Sequence, residues 1–260
     1  MTEMIQFVIP AAGAGTRFSK VGVTTPKPLI PILGIPMICW VLANLDVQEL
    51  DQVFILKRST HDYGSIRNTW LKRFIKQIHF IDIDELTEGP AITARYASKF
   101  LDSEKKLVIA NSDQFVSHGL EEFTKLFRRS QDLNLILTMK ASSDKWSYVA
   151  RDLNGFVYDV KEKIEISNEA TVGIYSWCRA DFFFRSLERM VAADDRVNGE
   201  FYVAPTYNYL ISEHVKVGAY NIGRVEDKVF GLGTPEDLTK FLENDFVHQF
   251  REDVLSFLAY

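Results

Sequence analysis

The sequence has little cysteine and little histidine, and neither residue has the spacing of a metal site. Cys39 and Cys178 lie far apart without a C-x-x-C pattern, so two buried thiols in a reducing compartment are expected in preference to a disulfide. The five histidines are scattered and form no H-E-x-x-H pattern. These features argue against a zinc site.

The chain also lacks an excess of positive charge and long apolar runs. Its 30 Lys and Arg against 35 Asp and Glu give a formal net charge of −5, which argues against broad binding to nucleic acid or anionic membrane. No apolar run approaches the ~18 residues of a membrane span. The N-terminal "MTEMIQFVIPAAG" lacks the basic segment of a signal peptide. We therefore expect a cytoplasmic protein with neither a membrane nor nucleic acid as partner.

Short apolar runs alternate with helix-period segments through the first half of the chain. Parallel strands need such long crossovers, so this alternation predicts an α/β fold built from βαβ units. The strand candidates are 5–10, 52–57, 78–83 and 106–110, and the helix candidates are about 36–46, 62–75, 89–102 and 118–130.

The second half has more strand candidates and shorter connections. Turns such as "DLNG" at 152–155 favour hairpins and antiparallel additions to the sheet. Helices are predicted at 180–193, after Asn198 and from Thr234, which is a suitable N-cap before Pro235. The strand candidates are 133–140, 146–151, 155–161, 171–177 and 215–221.

A glycine loop, "AAGAGTR", directly follows the first strand. Glycine amides without Cβ crowding can approach phosphate oxygens closely, and ligands bind beyond the carboxyl ends of strands in such sheets. The loop is neither a Rossmann G-x-G-x-x-G, because Phe18 replaces the third glycine, nor a Walker A loop. Arg17 and Lys27, the latter fixed between Pro26 and Pro28, add a planar fork and a point charge. Together they predict a phosphate site, with solvated surface charge as the alternative.

This stretch, "PAAGAGTRF…TPKPLIPILGIPMI", resembles the signature of the sugar-phosphate nucleotidylyltransferases, also called nucleotide-sugar pyrophosphorylases. Similar motifs follow in matching order: "TEGPAITA", "IANSDQF", "KEKIEIS", "TVGIYSW", "NGEFYVAP" and "GLGTPEDL". The resemblance implies an α/β, Rossmann-like GT-A-type fold whose mixed sheet is mostly parallel, with antiparallel additions and helices on both faces. It implies one domain over 1–260, with a nucleotide-binding half at about 1–115, an acceptor-binding half at about 116–233 and a C-terminal helix at about 234–258.

The resemblance also implies roles in the nucleotide half. Arg17 would neutralise the leaving pyrophosphate, and Lys27 would reach the phosphate where substitution occurs. Asp113 follows the strand at 106–110, so its carboxylate is expected beside the bound phosphates, where it suits Mg²⁺. Capping of the next turn is the alternative role of Asp113. The implied nucleotide-binding residues are Ala12, Gly13, Gly15, Thr16, Gly89 and Ser112.

In the acceptor half, "KEKIEIS" resembles a family E-K-P segment whose lysine contacts the acceptor phosphate, although Ile164 replaces the proline. A second departure is Gly231, which stands where many relatives carry a second metal-binding aspartate. Glu226, Asp227 or Asp237 could replace that carboxylate, or Asp113 and phosphate oxygens could hold the metal alone. The implied acceptor-binding residues are Trp146, Tyr148, Glu162, Lys163, Gly173, Asn198 and Glu200.

The leading hypothesis is an Mg²⁺-dependent nucleotidylyltransferase that joins an NTP to a phosphorylated acceptor and releases pyrophosphate. The acceptor would be a sugar 1-phosphate, for cell-surface polysaccharide synthesis, and a cytidylyltransferase acting on a non-sugar phosphate is an alternative. A GT-A glycosyltransferase would usually carry D-x-D where this chain has "NSDQ". A non-catalytic homologue would account for Gly231. Homo-oligomers are usual in the family, but no motif here specifies an interface.

Overall fold

The structure, a computed structural model, describes residues 3–72 and 76–259. The strands are β1 Ile5–Ala11, β2 Pro31–Ile32, β3 Ile35–Pro36, β4 Gln52–Arg58, β5 Ile78–Ile83, β6 Lys106–Ala110, β7 Gln114–Val116, β8 Asn134–Lys140, β9 Ser147–Arg151, β10 Val157–Glu162, β11 Glu169–Trp177, β12 Val217–Arg224 and β13 Val229–Gly231. The α-helices are α1 Thr16–Ser19, α2 Met37–Ala43, α3 Gly64–Thr69, α4 Pro90–Arg95, α5 Leu120–Arg129, α6 Ala180–Ala192, α7 Thr206–Ser212, α8 Pro235–Leu242 and α9 Val247–Ala259. Within these described residues, 3-10 turns cover Lys27–Leu29 and Tyr96–Lys99.

A mixed sheet of nine strands forms the centre of the protein. Strands β5, β4, β1 and β6 are parallel neighbours in that order, and β11 adds to β6 in the antiparallel direction. β11 also pairs with β8 and β9, both antiparallel. The predicted sheet, mostly parallel with antiparallel additions, is confirmed. Because β6 pairs with β11, the sheet runs without interruption across the predicted boundary near residue 115.

Helices cover both faces of the sheet, as predicted. One apolar cluster lies between the sheet and α2, α5, α8 and α9, and it includes Trp40, Phe127 and Phe250. The other cluster lies under α4, α6 and α7 and includes Phe183 and Tyr207. Burial on both faces explains why β1 and β6 are almost continuously apolar instead of alternating. No helix in the described parts of the chain is both long and apolar enough to cross a membrane.

The C-terminal segment forms two helices, α8 and α9, where one was predicted from about 234 to 258. The break lies at Asn244, whose side-chain oxygen accepts a hydrogen bond of 2.9 Å from the backbone N–H of Phe246. Asn side chains compete with helical hydrogen bonding in this way, so the helix stops and restarts. The start of α8 is as predicted, with the Thr234 side chain accepting from the N–H of Asp237 at 3.0 Å.

Other boundaries differ from the sequence prediction. The helix predicted at 89–102 is α-helical only over α4 and continues as a 3-10 turn. Of the helix predicted at 62–75, α3 covers Gly64–Thr69, and residues 73–75 lie outside the described residues. β12 pairs with β8 in the parallel direction, so not every strand of the second half is an antiparallel addition. The sequence patterns did not predict β7 and β13, which pair with each other, or β2 and β3, which form a second short pair.

Cys39 and Cys178 are buried free thiols, as expected. Burial raises the pKa of the Cys39 thiol far above its ordinary range and that of Cys178 to about 11. Both therefore stay protonated at neutral pH and pack as small apolar side chains.

Candidate active site

The glycine loop and Asp113 lie at the same edge of the sheet. β1 and β6 are parallel neighbours, so the loop after β1 and the turn after β6 both leave the carboxyl end of the sheet. Ala12 is buried at the start of the loop, whereas Thr16 is exposed at the start of α1. Ser112 is half-buried in the turn before Asp113. The parallel topology thus places residues about 100 positions apart beside one another.

The loop itself presents backbone donors to solvent. Among residues 3–72 and 76–259, no group accepts a hydrogen bond from the backbone N–H of Gly13, Ala14 or Gly15. Gly15 has a left-handed backbone with φ of 62°, and an added Cβ there would lie 3.4 Å from Cβ of Lys27. Unpaired amides on a loop that approaches a lysine so closely suit the binding of an anion.

Lys27 forms an ion pair with Asp113 at the centre of this edge. Lys27 begins a 3-10 turn after Pro26, and its ammonium donates to Oδ2 of Asp113. The side chains are 20% and 25% exposed, so both remain accessible to a ligand. A Cβ on Gly233 would lie 2.6 Å from Oδ2 of Asp113 and 3.5 Å from Nζ of Lys27. Glycine at 233 therefore leaves room for the Asp113 carboxylate, which a Cβ there would displace.

The donor set can be tested for Mg²⁺. The described residues contain no cluster of three or more acidic, histidine or cysteine side chains that could hold a metal by itself. Mg²⁺ is commonly bound by one or two carboxylates together with substrate phosphates, and Asp113 supplies one partly exposed carboxylate in a cradle that a Cβ at Gly233 would fill. The residues present therefore fit a cation that binds together with a nucleotide.

The three carboxylates considered as substitutes at Gly231 have different surroundings. Asp237 lies directly against Gly231, since a Cβ added there would be 3.3 Å from Oδ2 of Asp237. Its other oxygen pairs with Lys145 at 2.9 Å. Glu226 is exposed and pairs with Lys240 at 3.3 Å. Asp227 is also exposed. Asp237 is thus the carboxylate that approaches the backbone at position 231.

A cleft of about 270 Å³ lies beside this position. Gly231 lines it together with Trp146, Lys145, Asp237 and Lys240. Trp146 is half-buried and has the ammonium of Lys145 5.2 Å from its ring centroid. Position 231 therefore borders open space instead of the protein core.

Gly89 packs closely on the backbone of Phe201. Its φ of 113° favours glycine, and an added Cβ would lie 2.6 Å from the carbonyl oxygen and 2.7 Å from the nitrogen of Phe201. The Phe201 N–H donates to the carbonyl of Glu88 at 2.8 Å, and the Ala91 N–H donates to the carbonyl of Phe201 at 3.1 Å. The turn before α4 is therefore held against the segment that carries Glu200.

Lys163, a predicted acceptor-binding residue, lies immediately after β10. Its backbone is left-handed, with φ of 58°, and its N–H donates to the carbonyl of Trp146 at 2.9 Å. Its ammonium donates to the hydroxyl of Tyr202 at 2.5 Å and lies 3.8 Å from a carboxylate oxygen of Glu162. Burial and the Glu200 carboxylate raise the pKa of Tyr202, and the positive charge of Arg17 opposes this rise. Lys163 and Tyr202 thus belong to one polar cluster with Glu162 and Glu200.

Gly173 lets β11 pass close to the turn that holds Asp113. Its φ is 88°, and an added Cβ would lie 2.5 Å from Nδ2 of Asn111 and would overlap Oε1 of Gln114. The carbonyl of Gly173 accepts from the N–H of Asn111 at 2.9 Å. This contact is structural, and the predicted contact of Gly173 with the acceptor stays a prediction.

The remaining predicted acceptor residues are in different environments. Tyr148 is fully buried, and its hydroxyl is bonded to the backbone of Ser143, so the structure gives it a packing role. Asn198 is exposed in a turn with φ of 52°. Glu200 is exposed on the same segment and close to Tyr202. Lys163 thus contacts the backbone of Trp146 and, through Tyr202, approaches Glu200, whereas Tyr148 is a buried residue.

Glu162 is a buried carboxylate, 6% exposed, that accepts a hydrogen bond from the hydroxyl of Ser147. Desolvation raises its pKa, against the lowering effects of that hydrogen bond and of Lys163. A carboxyl group with a higher pKa in the folded than in the unfolded protein binds more protons when folded. Its contribution to the free energy of unfolding therefore increases as the pH falls through the window between the raised and the ordinary pKa.

We expect Glu162→Gln to raise the free energy of unfolding at pH 7 by about 1 kcal/mol, because the buried charge is removed. The difference from the wild type should disappear below the ordinary carboxyl pKa of 4.5. Urea denaturation across a pH series measures this dependence. The control is Glu188→Gln, at an exposed position on α6. A difference at residue 162 that does not change with pH would contradict the prediction.

Sequence reasoning missed two residues of this region. Tyr202 was overlooked although it lies in the quoted "NGEFY" motif, because an isolated tyrosine is usually a packing residue. Gly233 stands in the same "GLGT" stretch as Gly231, and its own sequence context carries no signal for a site. A glycine immediately before an N-cap threonine is an ordinary turn signal, and only the structure shows the Asp113 carboxylate against Gly233.

Comparison with known proteins identifies the family. The family model for nucleotidyl transferases matches residues 6–203. The chain therefore belongs to the nucleotidyl transferase family.

Three relatives illustrate the similarity. A UTP–glucose-1-phosphate uridylyltransferase of a Synechocystis species is 26% identical over 188 residues, which cover 65% of this chain and 47% of that protein. The nucleoside-diphosphate-sugar pyrophosphorylase of Vibrio cholerae RC9 has a similar structure, with a TM-score of 0.79, 24% identity and coverage of 92% of this chain and 100% of that chain. The inositol-1-phosphate CTP transferase of T. maritima also has a similar structure. Its TM-score is 0.73 and its identity 13%, and the match covers 98% of this chain and 97% of that chain. The chain spans about half the length of the curated relatives it matches.

Proposed function

We propose that this protein is a nucleotidylyltransferase that joins an NTP to a phosphorylated acceptor and releases pyrophosphate. The observation that supports it most is the arrangement at one sheet edge of a loop with unpaired amides, the Lys27–Asp113 pair and Lys163. The loop amides and Lys27 would bind the phosphates of the nucleotide, and the ammonium of Lys163 would bind the phosphate of the acceptor. The proposed acceptor is a sugar 1-phosphate, and the proposed location is the cytoplasm.

The reaction needs positioning and charge neutralisation more than a protein nucleophile. An oxygen of the acceptor phosphate attacks the α-phosphorus, a new P–O bond forms, and the bond to the bridging oxygen of pyrophosphate breaks. The glycine-loop amides would bind the nucleotide phosphates, and Arg17 would stabilise the leaving pyrophosphate. Lys27 would stabilise the charge at the reacting phosphate, and Lys163 would orient the acceptor.

Asp113 would hold Mg²⁺, with phosphate oxygens as the other ligands. When bound, the cation supplies further neutralisation of the phosphate charge. Asp237 is the carboxylate that lies against the position of the missing aspartate, Gly231.

Pyrophosphate release with Mg²⁺ tests the proposal. CTP, UTP, dTTP, ATP and GTP are each incubated with the protein and a set of acceptors that includes sugar 1-phosphates, inositol 1-phosphate and phosphocholine. Release that needs one nucleotide and one acceptor would establish the reaction and name both substrates. Absence of release, from folded protein that still binds a nucleotide, would instead favour a non-catalytic homologue. Transfer of sugar from a nucleotide sugar would favour a glycosyltransferase.

Replacing Arg17 with alanine is expected to lower kcat by about 10²-fold, the usual effect of removing one transition-state stabilising group. The free energy of unfolding should not change, because Arg17 is exposed and makes no hydrogen bond or ion pair within residues 3–72 and 76–259. Pyrophosphate release and urea denaturation measure the two effects.

The matched control is Arg129→Ala. Arg129 is exposed at the end of α5. The ammonium of Lys106, the first residue of β6, donates to the carbonyl of the neighbouring Arg128 at 3.0 Å. The end of α5 therefore lies at the opposite edge of the sheet from the glycine loop. This variant should keep wild-type kcat. Equal activity of the two variants would show that Arg17 does not act on a phosphate.

A further inference from the structure

We propose that Tyr202 is a positioning residue that holds the ammonium of Lys163 where the acceptor phosphate binds. The inference rests on the proposed function and adds a residue that determines acceptor affinity. It concerns the protein before the acceptor arrives, when the lysine would otherwise move freely.

The contact between the two side chains is close and has two parts. Nζ of Lys163 donates to the Tyr202 hydroxyl at 2.5 Å and lies 4.2 Å from the centroid of the ring. The hydroxyl oxygen accepts this bond, so its O–H remains free to donate elsewhere. Burial and the nearby Glu200 carboxylate raise the pKa of Tyr202, which keeps that proton on the hydroxyl at neutral pH. Lys163, Tyr202 and Glu200 thus form a short polar chain.

Among the described residues, the Tyr202 hydroxyl makes the shortest polar contact to the ammonium of Lys163. The backbone of Lys163 is already held by its bond to the carbonyl of Trp146, and the carboxylate of Glu162 is 3.8 Å from the ammonium. A lysine side chain loses up to ~2 kcal/mol of rotamer entropy when it is immobilised. If the side chain of Lys163 is already ordered in the free protein, less conformational entropy is lost when the acceptor binds.

Tyr202 itself is well anchored. It follows Phe201, whose backbone makes both hydrogen bonds to the turn around Gly89. Tyr202 therefore connects Lys163 to the turn around Gly89.

Steady-state kinetics of Tyr202→Phe tests the inference. This variant keeps the ring and removes the hydroxyl, so the fold should be retained. We expect the acceptor KM to rise about tenfold or more, the usual effect of losing a hydrogen bond to a charged group, with kcat within about twofold of wild type. The KM for the nucleotide should not change. A lowered kcat with an unchanged acceptor KM would overturn the inference.

The matched control is Tyr209→Phe, which removes a hydroxyl bonded to Asp195 at 3.1 Å on the surface of α7. It should leave both KM values unchanged. A double-mutant cycle then asks whether Tyr202 acts through Lys163. In a Lys163→Ala background, Tyr202→Phe should change the acceptor KM by less than about twofold. Effects that multiply instead would mean that Tyr202 acts independently of Lys163, and the inference would fail.

A measurement without turnover separates this inference from the proposed function. Lysines of the free protein are methylated with ¹³C, and the Lys163 resonance is assigned by its loss in Lys163→Ala. Tyr202→Phe should shift this resonance, and Tyr209→Phe should not. An unchanged resonance would overturn the inference even in an active enzyme. If the wild type has no activity but the resonance shifts, the proposed function fails and the contact between the two residues stands.

Discussion

Replacing Lys27 with alanine is expected to lower kcat by about 10³-fold, the largest activity loss among the variants considered. Its ammonium is at the centre of the site, paired with Asp113 and beside the glycine loop. A compact cation at this position would neutralise charge where the new bond forms, and no other described cation pairs with Asp113. Pyrophosphate release under saturating substrates measures the effect.

The loss should not result from unfolding. Lys27 and Asp113 are partly exposed, and ion pairs of this kind contribute only about 0–1 kcal/mol to stability. Lys20→Ala is the control, since Lys20 is an exposed lysine at the end of the adjacent short helix α1. It removes the same charge and should keep kcat within about twofold of wild type. If both variants lose activity equally, the general positive field, and not the position of Lys27, determines the rate.

Replacing Gly89 with alanine is expected to lower the free energy of unfolding by about 3 kcal/mol or more. The substitution has two costs, a left-handed backbone with φ of 113° and a Cβ within 2.7 Å of two backbone atoms of Phe201. Those atoms cannot move aside cheaply, because both are hydrogen-bonded to the Gly89 turn. Urea denaturation measures the loss.

Gly155→Ala is the matched control for the backbone cost alone. Gly155 has φ of 85°, and an added Cβ would meet no heavy atom within 4 Å. This variant should lose only about 1 kcal/mol. The additional loss in the free energy of unfolding for Gly89→Ala, relative to Gly155→Ala, then measures the cost of the close packing between the Gly89 turn and the Phe201 segment. Similar losses in the two variants would show that the Phe201 backbone yields to the Cβ and that the two halves are not held rigidly there.

The glycines of this chain illustrate the limits of sequence reading. Gly13 and Gly15 were recognised because two glycines directly after an apolar strand have a local meaning. At Gly233, a Cβ would meet the side chain of Asp113, which lies 120 positions earlier in the chain. At Gly173, a Cβ would meet the side chain of Asn111, which lies 62 positions earlier. No local pattern contains that information, since it arises only when β6, β11 and the segment after β13 come together.

The break between α8 and α9 has a different explanation. Both segments have apolar residues that pack on the core, among them Phe241 and Phe250. That pattern continued across 234–258 and favoured one helix. The side chain of Asn244 competes with helical hydrogen bonding and ends the first helix. One asparagine is a weak signal for a helix end beside an apolar pattern that continues through it.

The amino-acid sequence by itself determined the fold class, the glycine loop, the two cations that follow it and the carboxylate after β6. These depend on local periodicity and short spacing, which the chain order displays directly. Only the tertiary structure decided that Lys27 pairs with Asp113, that Asp237 lies against Gly231 and that Tyr202 binds Lys163. Two of these contacts join residues that are distant in the sequence, and the third joins Gly231 to a residue on the next helix. Sheet order and packing determine which side chains meet in this way, and neither can be read from local sequence patterns.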